Sequence, residues 1–327
     1  MIGALVTQWF KTRYGAELIA IAAQEHLALE LIALPADAQA RLSDDDAARV
    51  EIAYLSNDVL PEFGKSFFSA ARKAANLKWL HVYIAGVDHP VYASMIARGI
   101  HLTTSSGANA EPVAHTAIAG MLALARGLPR WAADQQARRW NPVRTADLPR
   151  DLRGQVMLVY GLGKIGSEIA RLARAFGMRV IGVRRNAIET EHVDEIHTPD
   201  KLHDLLPECD WLTLACPLTD QTRGMVDAAV LARLPRGAQV INICRGEVID
   251  EPALVAALGS GHLAGAYLDV FVHEPLPADS PLWDMPNVIV SPHNASASAG
   301  NDARCNAIFI ENLKRWNSHE PLFNEAK

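Results

Sequence analysis

Gln155-Val156-Met157-Leu158-Val159-Tyr160 runs straight into Gly161-Leu162-Gly163-Lys164-Ile165-Gly166. The first six residues read as a strand, and the glycines that follow are spaced G-x-G-x-x-G. Beyond them, Ile165, Ile169, Leu172, Ala173 and Phe176 share one helical face, and Gly177 stands where a helix stop belongs. In a strand–turn–helix of this kind each glycine has a task. One permits the tight turn, one lets backbone approach a pyrophosphate, and one lets the helix pack close to the strand. Backbone N–H groups at the helix start then offer an anion site. Glycine-rich turns are common by themselves. The strand before, the helix after and a further strand at 179–183 make this one read as a dinucleotide cradle.

Outward from that turn, short apolar runs alternate with amphipathic segments. Strands are expected at 155–160, 179–183, 211–215, 239–243, 264–270 and 287–290. An earlier series has strands at 2–6, 29–34, 52–55 and 79–84, with helices at 16–26 and near 66–76. Alternation of this sort implies parallel strands covered by helices, an α/β architecture. A polar, arginine-rich stretch, 138–153, precedes the second series. The spacing at 301–316 is helical and suits packing back on the first domain. The expected division is therefore a discontinuous substrate domain, 1–102 with 294–327, around a dinucleotide-binding domain, 103–293. A chain of 327 residues suits two such domains. There is no fixed-period repeat and no low-complexity segment.

Composition narrows the partners. The formal net charge is −6 and the pI about 6.1, so the surface does not attract polyanions and nucleic acid is not expected as a partner. The longest apolar stretch, 113–125, is too short to span a membrane and includes His115 and Thr116. The N-terminus carries no basic, signal-like segment. Cys209, Cys216, Cys244 and Cys305 show no metal-ligand spacing. They read as reduced core thiols, which fits the cytoplasm.

The other chemical signals follow predicted strands, at the edge of an open α/β sheet where ligands bind. After 179–183 come Arg184 and Arg185, at the position where an NAD site usually places an acid for the ribose 2′-hydroxyl. Guanidinium groups bind a 2′-phosphate in a forked geometry, so NADP is the expected cofactor, with NAD as the second choice. Arg245-Gly246 follows 239–243, His273-Glu274-Pro275 follows 264–270, and His293 follows 287–290. Alone, each has a plain explanation: a surface ion pair, a turn cap, a structural histidine. Together, an arginine, a carboxylate and a histidine beside a nicotinamide site suit hydride transfer to a carbonyl next to a carboxylate. The arginine binds the anion, the histidine exchanges the proton, and the acid orients the histidine.

Five ordered motifs make a resemblance specific: Ala85-Gly86-Val87-Asp88; Cys216-Pro217-Leu218-Thr219 with Thr222-Arg223-Gly224; Asn242-Ile243-Cys244-Arg245-Gly246; Leu268-Asp269-Val270-Phe271 with Glu274-Pro275-Leu276; and Asn287 through Ser291-Pro292-His293. Over nearly its whole length the chain resembles the D-2-hydroxyacid dehydrogenases. The resemblance implies two Rossmann-like parallel-sheet domains, the substrate one flavodoxin-like, with the active site in the cleft between them. It implies Arg245 as the substrate-binding arginine, His293 as general acid/base and Glu274 as its partner. Asp269 would sit near the nicotinamide carboxamide. Cys216, Pro217 and Thr222 would join the 161–166 turn in holding the cofactor, and the backbone at Ala85 and Gly86 would bind the substrate carboxylate. A homodimer through the cofactor domain is implied as well, with 109–127 resembling the long interdomain helix.

Two features depart from the commoner family pattern. One is the Arg184-Arg185 pair, which resembles NADP-using members. The other is His115-Thr116, where Glu-His often follows Val-Ala. Formate dehydrogenases, which carry glutamine in place of Glu274, are disfavoured. A phosphoglycerate dehydrogenase-like enzyme and a dinucleotide-sensing, corepressor-like binding protein stay open as alternatives. Glyoxylate and hydroxypyruvate are candidate substrates, and Trp283, Phe10 and Tyr83 are candidate pocket walls.

Overall fold

The computed structural model describes residues 1–37, 39–59, 62–144 and 148–326. Its first strands are β1 (Ile2–Val6), β2 (Leu29–Ala33), β3 (Val50–Leu55), β4 (Trp79–Val82) and β5 (His101–Thr104). Around them lie α1 (Gln8–Gln24), α2 (Asp44–Arg49), α3 (Gly64–Lys73) and α4 (Pro90–Ile96). The five strands form one sheet in the order β2-β1-β3-β4-β5, every recorded pairing parallel. The apolar runs are continuous because β1, β3 and β4 are covered on both faces.

Helix α1 begins at Gln8 rather than at 16. The Thr7 hydroxyl caps it, accepting the Phe10 N–H at 3.0 Å. Gly15 argues against a helix by propensity, yet it lies where α1 meets Leu31 of β2 and a side chain would be crowded. Strand β5 carries little apolar signal because Thr103 and Thr104 are buried for their hydrogen bonds. The Trp79 indole N–H donates to Thr103 Oγ1 at 2.7 Å. That hydroxyl is left to donate to His81 Nδ1 at 2.7 Å, so His81 Nε2–H donates to Ser105 Oγ at 3.1 Å. Burial pushes the His81 imidazole down to about 3.

The second series opens with α5 (Ala110–Arg126), which ends at Gly127 in the left-handed region, and α6 (Leu128–Gln136). Of the stretch 138–153, residues 145–147 lie outside the described residues. The chain continues as β6 (Val156–Tyr160), α7 (Lys164–Ala175), β7 (Arg179–Val183), β8 (Glu195–His197), α8 (Leu202–Leu205) and β9 (Trp211–Leu214). Then come α9 (Ala228–Arg233), β10 (Gln239–Asn242), α10 (Glu251–Gly259), β11 (Gly265–Leu268) and β12 (Val288–Val290). The sheet order is β12-β11-β10-β9-β6-β7-β8, again parallel. Strand β8 has three residues at the sheet edge and no fully buried side chain, so no apolar run announced it. Strand order reverses between β6 and β9, the topological switch point at which open sheets bind ligands.

Last comes α11 (Asn301–Asn317). It belongs with the first sheet: Phe309 stacks on Tyr54 at 4.4 Å and Trp316 on Trp79 at 5.6 Å between ring centroids. Phe10 lies in the same buried cluster, so it is core. The chain thus divides into one unit of Met1–Ala108 with Ser298–Lys327 and another of Asn109–Ala297. Both are parallel-sheet α/β units. No helix among the described residues is long and apolar enough to cross a membrane.

Candidate active site

The glycine turn sits at the carboxyl end of β6, and its three glycines face different surroundings. Gly161 has φ +103°, and a Cβ there would lie 2.6 Å from the Ala215 carbonyl oxygen. At Gly166 a Cβ would collide with the Gly161 carbonyl, so the missing side chain lets α7 close on the turn. At Gly163 a Cβ would meet no protein atom within 4 Å. Two glycines are therefore demanded by the fold, and the third faces open space. That space belongs to a cavity of about 820 Å3 bounded by the 161–163 turn, Arg184 to Asn186, and the loop from Cys216 to Thr222. An open cradle at a helix N-terminus fits a pyrophosphate. Lys164, Ile165 and Gly166 open α7 behind it.

Arg184 and Arg185 follow β7 directly. Arg184 is half-buried, with Nη1 3.4 Å from Thr190 Oγ1, and Arg185 is exposed. Thr222 turns inward: its hydroxyl donates to the Pro217 carbonyl at 2.7 Å and accepts the Thr219 N–H at 2.8 Å. It closes the loop that starts at Cys216-Pro217 and forms one cavity wall.

Arg245 leaves the end of β10 half-buried, its Nη1 donating to the Cys244 carbonyl at 2.6 Å. Gly246 brings this turn against the Phe271–Val272 backbone, where a Cβ would collide. Glu274 is tied to the segment that Gly246 packs against: its Oε1 accepts the Phe271 N–H at 3.0 Å. Its Oε2 lies 2.7 Å from His293 Nδ1. A carboxylate can only accept, so Nδ1 carries the proton of this contact and Nε2 is the outward nitrogen. His293 has φ +53°, in the left-handed region, as do five other non-glycine residues away from this site.

The conformation of the His293 loop has a visible cause. Asp269 is buried, and its carboxylate accepts the Ser291 hydroxyl at 2.6 Å and the backbone N–H groups of Asn294 and Ala295 at 2.9 and 3.0 Å. Its carbonyl accepts the His293 N–H at 2.9 Å. Tyr267 reaches Ser291 Oγ at 2.7 Å. Thr116, part of the sequence departure in α5, lies 3.1 Å from the Ala295 carbonyl. The sequence does not show these supports, since only the register of β11 beside β12 brings Asp269 to the loop.

Ala85 and Gly86 lie in the other unit, on the bend that leaves β4. Trp283 is half exposed, its indole N–H donating to the Pro277 carbonyl at 2.9 Å. Among the described residues no group of three or more His, Cys, Asp or Glu could hold a metal ion.

Residues 118–295 match the NAD binding domain of the D-isomer specific 2-hydroxyacid dehydrogenases. The chain belongs to that family. As a D-2-hydroxyacid dehydrogenase it is an NAD(P)-dependent oxidoreductase acting on a CH–OH group, and its second unit is a nicotinamide dinucleotide-binding domain. It is 37% identical to a glyoxylate reductase of Korarchaeum cryptofilum over 255 residues, 75% of this chain and 74% of that protein. A D-isomer specific 2-hydroxyacid dehydrogenase from Xanthobacter autotrophicus Py2, solved with NADPH and MES, is 32% identical. It matches with a TM-score of 0.78 over 100% of this chain and 98% of that one. An NADPH-dependent glyoxylate/hydroxypyruvate reductase from Sinorhizobium meliloti, solved with NADP and sulfate, is 27% identical. Its TM-score is 0.78, with the same coverage of both chains.

Proposed function

We propose that this dehydrogenase reduces a small 2-oxo acid, glyoxylate or hydroxypyruvate, with NADPH as preferred cofactor. The observation that carries the reading is the 2.7 Å contact of His293 Nδ1 with Glu274 Oε2, on the sheet edge that also holds Arg245 and the glycine cradle. In this reading the first unit handles the substrate and the second the cofactor. Gly161 to Gly166 receive the pyrophosphate, and Arg184 and Arg185 receive the 2′-phosphate. The Cys216-Pro217 to Thr222 loop walls the cofactor cleft, and Asp269 lies under the nicotinamide end. The bound cofactor supplies the hydride. Arg245 holds the substrate carboxylate through its planar guanidinium, and the backbone at Ala85 and Gly86 is assigned to substrate binding by the family resemblance alone. His293 gives the carbonyl oxygen its proton from Nε2, while Glu274 fixes the ring through Nδ1. Asp269 holds the loop that sets the ring's place.

The names of the Korarchaeum and Sinorhizobium relatives support glyoxylate, and the NADPH and NADP complexes support the cofactor choice. Exposed Trp131 on α6 and Trp140 just beyond it support a homodimer through the second unit. Four free, buried cysteines agree with a cytoplasmic enzyme. The test is a panel of glyoxylate, hydroxypyruvate, phenylpyruvate and branched 2-oxo acids with NADPH and NADH. Turnover is expected to be fastest with the two smallest acids and NADPH. Failure of every acid to oxidise either cofactor overturns the reading.

A further inference from the structure

Two thiols at this sheet edge take no part in the hydride or proton transfer above. Strands β9 and β10 pair in register, Leu214 opposite Asn242. Two residues beyond the end of each strand stand Cys216 and Cys244. Both are free thiols, both about 6% exposed, and both sit in the same cluster of buried side chains. Neighbouring strands run about 4.8 Å apart. A disulfide spans Cα separations of about 4.4–6.8 Å, so this juxtaposition suits a crosslink. The thiols also sense each other. The Cys244 sulfur beside it, together with burial, pushes the Cys216 thiol up, and a hydrogen bond from Cys216 lowers Cys244. Backbone N–H groups at Cys216 and Arg245 and the Arg245 charge act on Cys244 in the same direction. Core packing alone would account for two buried thiols. It does not account for the place of Cys216, which lines the 820 Å3 cavity.

We propose that Cys216 and Cys244 form a redox-active dithiol, a modification site that a peroxide converts to a disulfide across the ends of β9 and β10. The atoms balance as follows. The Cys216 sulfur, which lines the cavity, attacks one oxygen of hydrogen peroxide and the O–O bond breaks. This leaves a sulfenic acid and a hydroxide, which becomes water with the proton Cys216 gave up. The Cys244 sulfur then attacks the Cys216 sulfur, the S–O bond breaks, and hydroxide leaves as a second water with the Cys244 proton. Two thiols are oxidised and one peroxide is reduced; a small dithiol reverses the bond by exchange.

The effect on turnover rests on the proposed function. Closing the sulfurs to about 2.05 Å pulls on the 216–222 cleft wall. It pulls also on the Cys244 carbonyl that Arg245 Nη1 holds. Displacement on this scale is expected to cost about tenfold to 10²-fold in kcat/KM.

The experiment treats the full chain with hydrogen peroxide, with and without saturating NADP, followed by non-reducing peptide mapping and assay. Expected is a Cys216–Cys244 crosslink, slowed by NADP and reversed by dithiothreitol, with activity lost and regained in step. Cys244→Ser and Cys244→Ala should keep basal turnover and lose both the crosslink and the reversible inactivation. Should all four cysteines still alkylate with N-ethylmaleimide after peroxide, the dithiol is refuted. Oxidation to sulfinic acid without a crosslink refutes it equally. A crosslink that leaves NADPH affinity unchanged would support the dithiol and sink the cofactor-cleft reading of the 216–222 loop.

Discussion

Replacing Gly163 and Gly161 by alanine, one at a time, separates a ligand cradle from a structural turn. Gly163 has φ −82°, which alanine adopts freely, and its new Cβ would meet no protein atom within 4 Å. The folded state therefore loses nothing, and alanine gains about 0.4–1 kcal/mol by restricting the unfolded chain. Gly163→Ala should melt at the wild-type temperature or slightly above. If a pyrophosphate occupies that open space, the methyl intrudes on it. Overpacking of a close contact costs about 1–3 kcal/mol, which raises the Kd for NADPH roughly five- to 150-fold. Gly161→Ala differs in kind. Its φ of +103° is costly for any side chain, about 1–3 kcal/mol, and its Cβ would stand 2.6 Å from the Ala215 carbonyl oxygen. That variant should lose thermal stability whether or not cofactor is present. Urea unfolding and calorimetric titration with NADPH measure both quantities. If Gly163→Ala binds NADPH within twofold of wild type, the open side of the turn does not face the cofactor.

Other substitutions test single roles. Arg184→Asp should move preference toward NADH by about tenfold or more, since a charge-assisted hydrogen bond contributes about 1.5–3 kcal/mol; a wild type already preferring NADH tenfold would contradict the reading. Arg245→Lys keeps the charge but not the fork, so kcat/KM for the 2-oxo acid should fall about 10–10²-fold with NADPH affinity unchanged; near-normal kinetics would remove Arg245 from the substrate site. His293→Ala should lose about 10²–10⁴-fold in kcat, the range of general acid–base catalysis, without loss of fold; a smaller effect would point to another proton donor. His81 makes a pH prediction. Its folded-state value, about 3, lies below the ordinary 6.5, so the unfolded chain binds more protons between them. The stability tied to neutral His81 is complete above 6.5 and is lost as pH falls toward 3. The loss should be about 2 kcal/mol between pH 7 and 5. Urea midpoints at the two pH values should shift less in His81→Gln; equal shifts would show that His81 does not titrate in this range.

The sheets were readable where strands are buried on both faces, because burial demands unbroken apolar runs such as Met157–Val159 and Val240–Ile241. They were not readable at β5 and β8. Thr103 is buried for its hydrogen bonds and β8 lies at an edge, so neither carries an apolar run. The sequence shows only the second half of helix α1, because Gly15 argues against a helix locally, while its contact with Leu31 is a tertiary fact. At the candidate site, the positions after successive strands singled out Arg245, Glu274 and His293, and the structure sets Glu274 against His293. The supporting contacts lay beyond sequence. Asp269 meets the 291–295 loop, Thr116 meets Ala295, and Cys216 meets Cys244 only through strand register and helix packing.

The discontinuity of the first unit has a consequence during synthesis. Residues 1–108 emerge first, but the face of their sheet that carries Tyr54 and Trp79 is finished only by Phe309 and Leu313. Asn109–Ala297 must be translated in between, roughly 10–40 s at ribosomal rates of about 5–20 residues per second. Throughout that interval the nascent amino-terminal sheet presents uncovered aromatic surface, while the second unit has all its strands in one stretch of chain and can close without delay. A nascent chain arrested before residues 301–317 are made therefore has all the strands of the second unit but an uncovered aromatic face on the first sheet, exposed apolar surface of the kind that promotes aggregation.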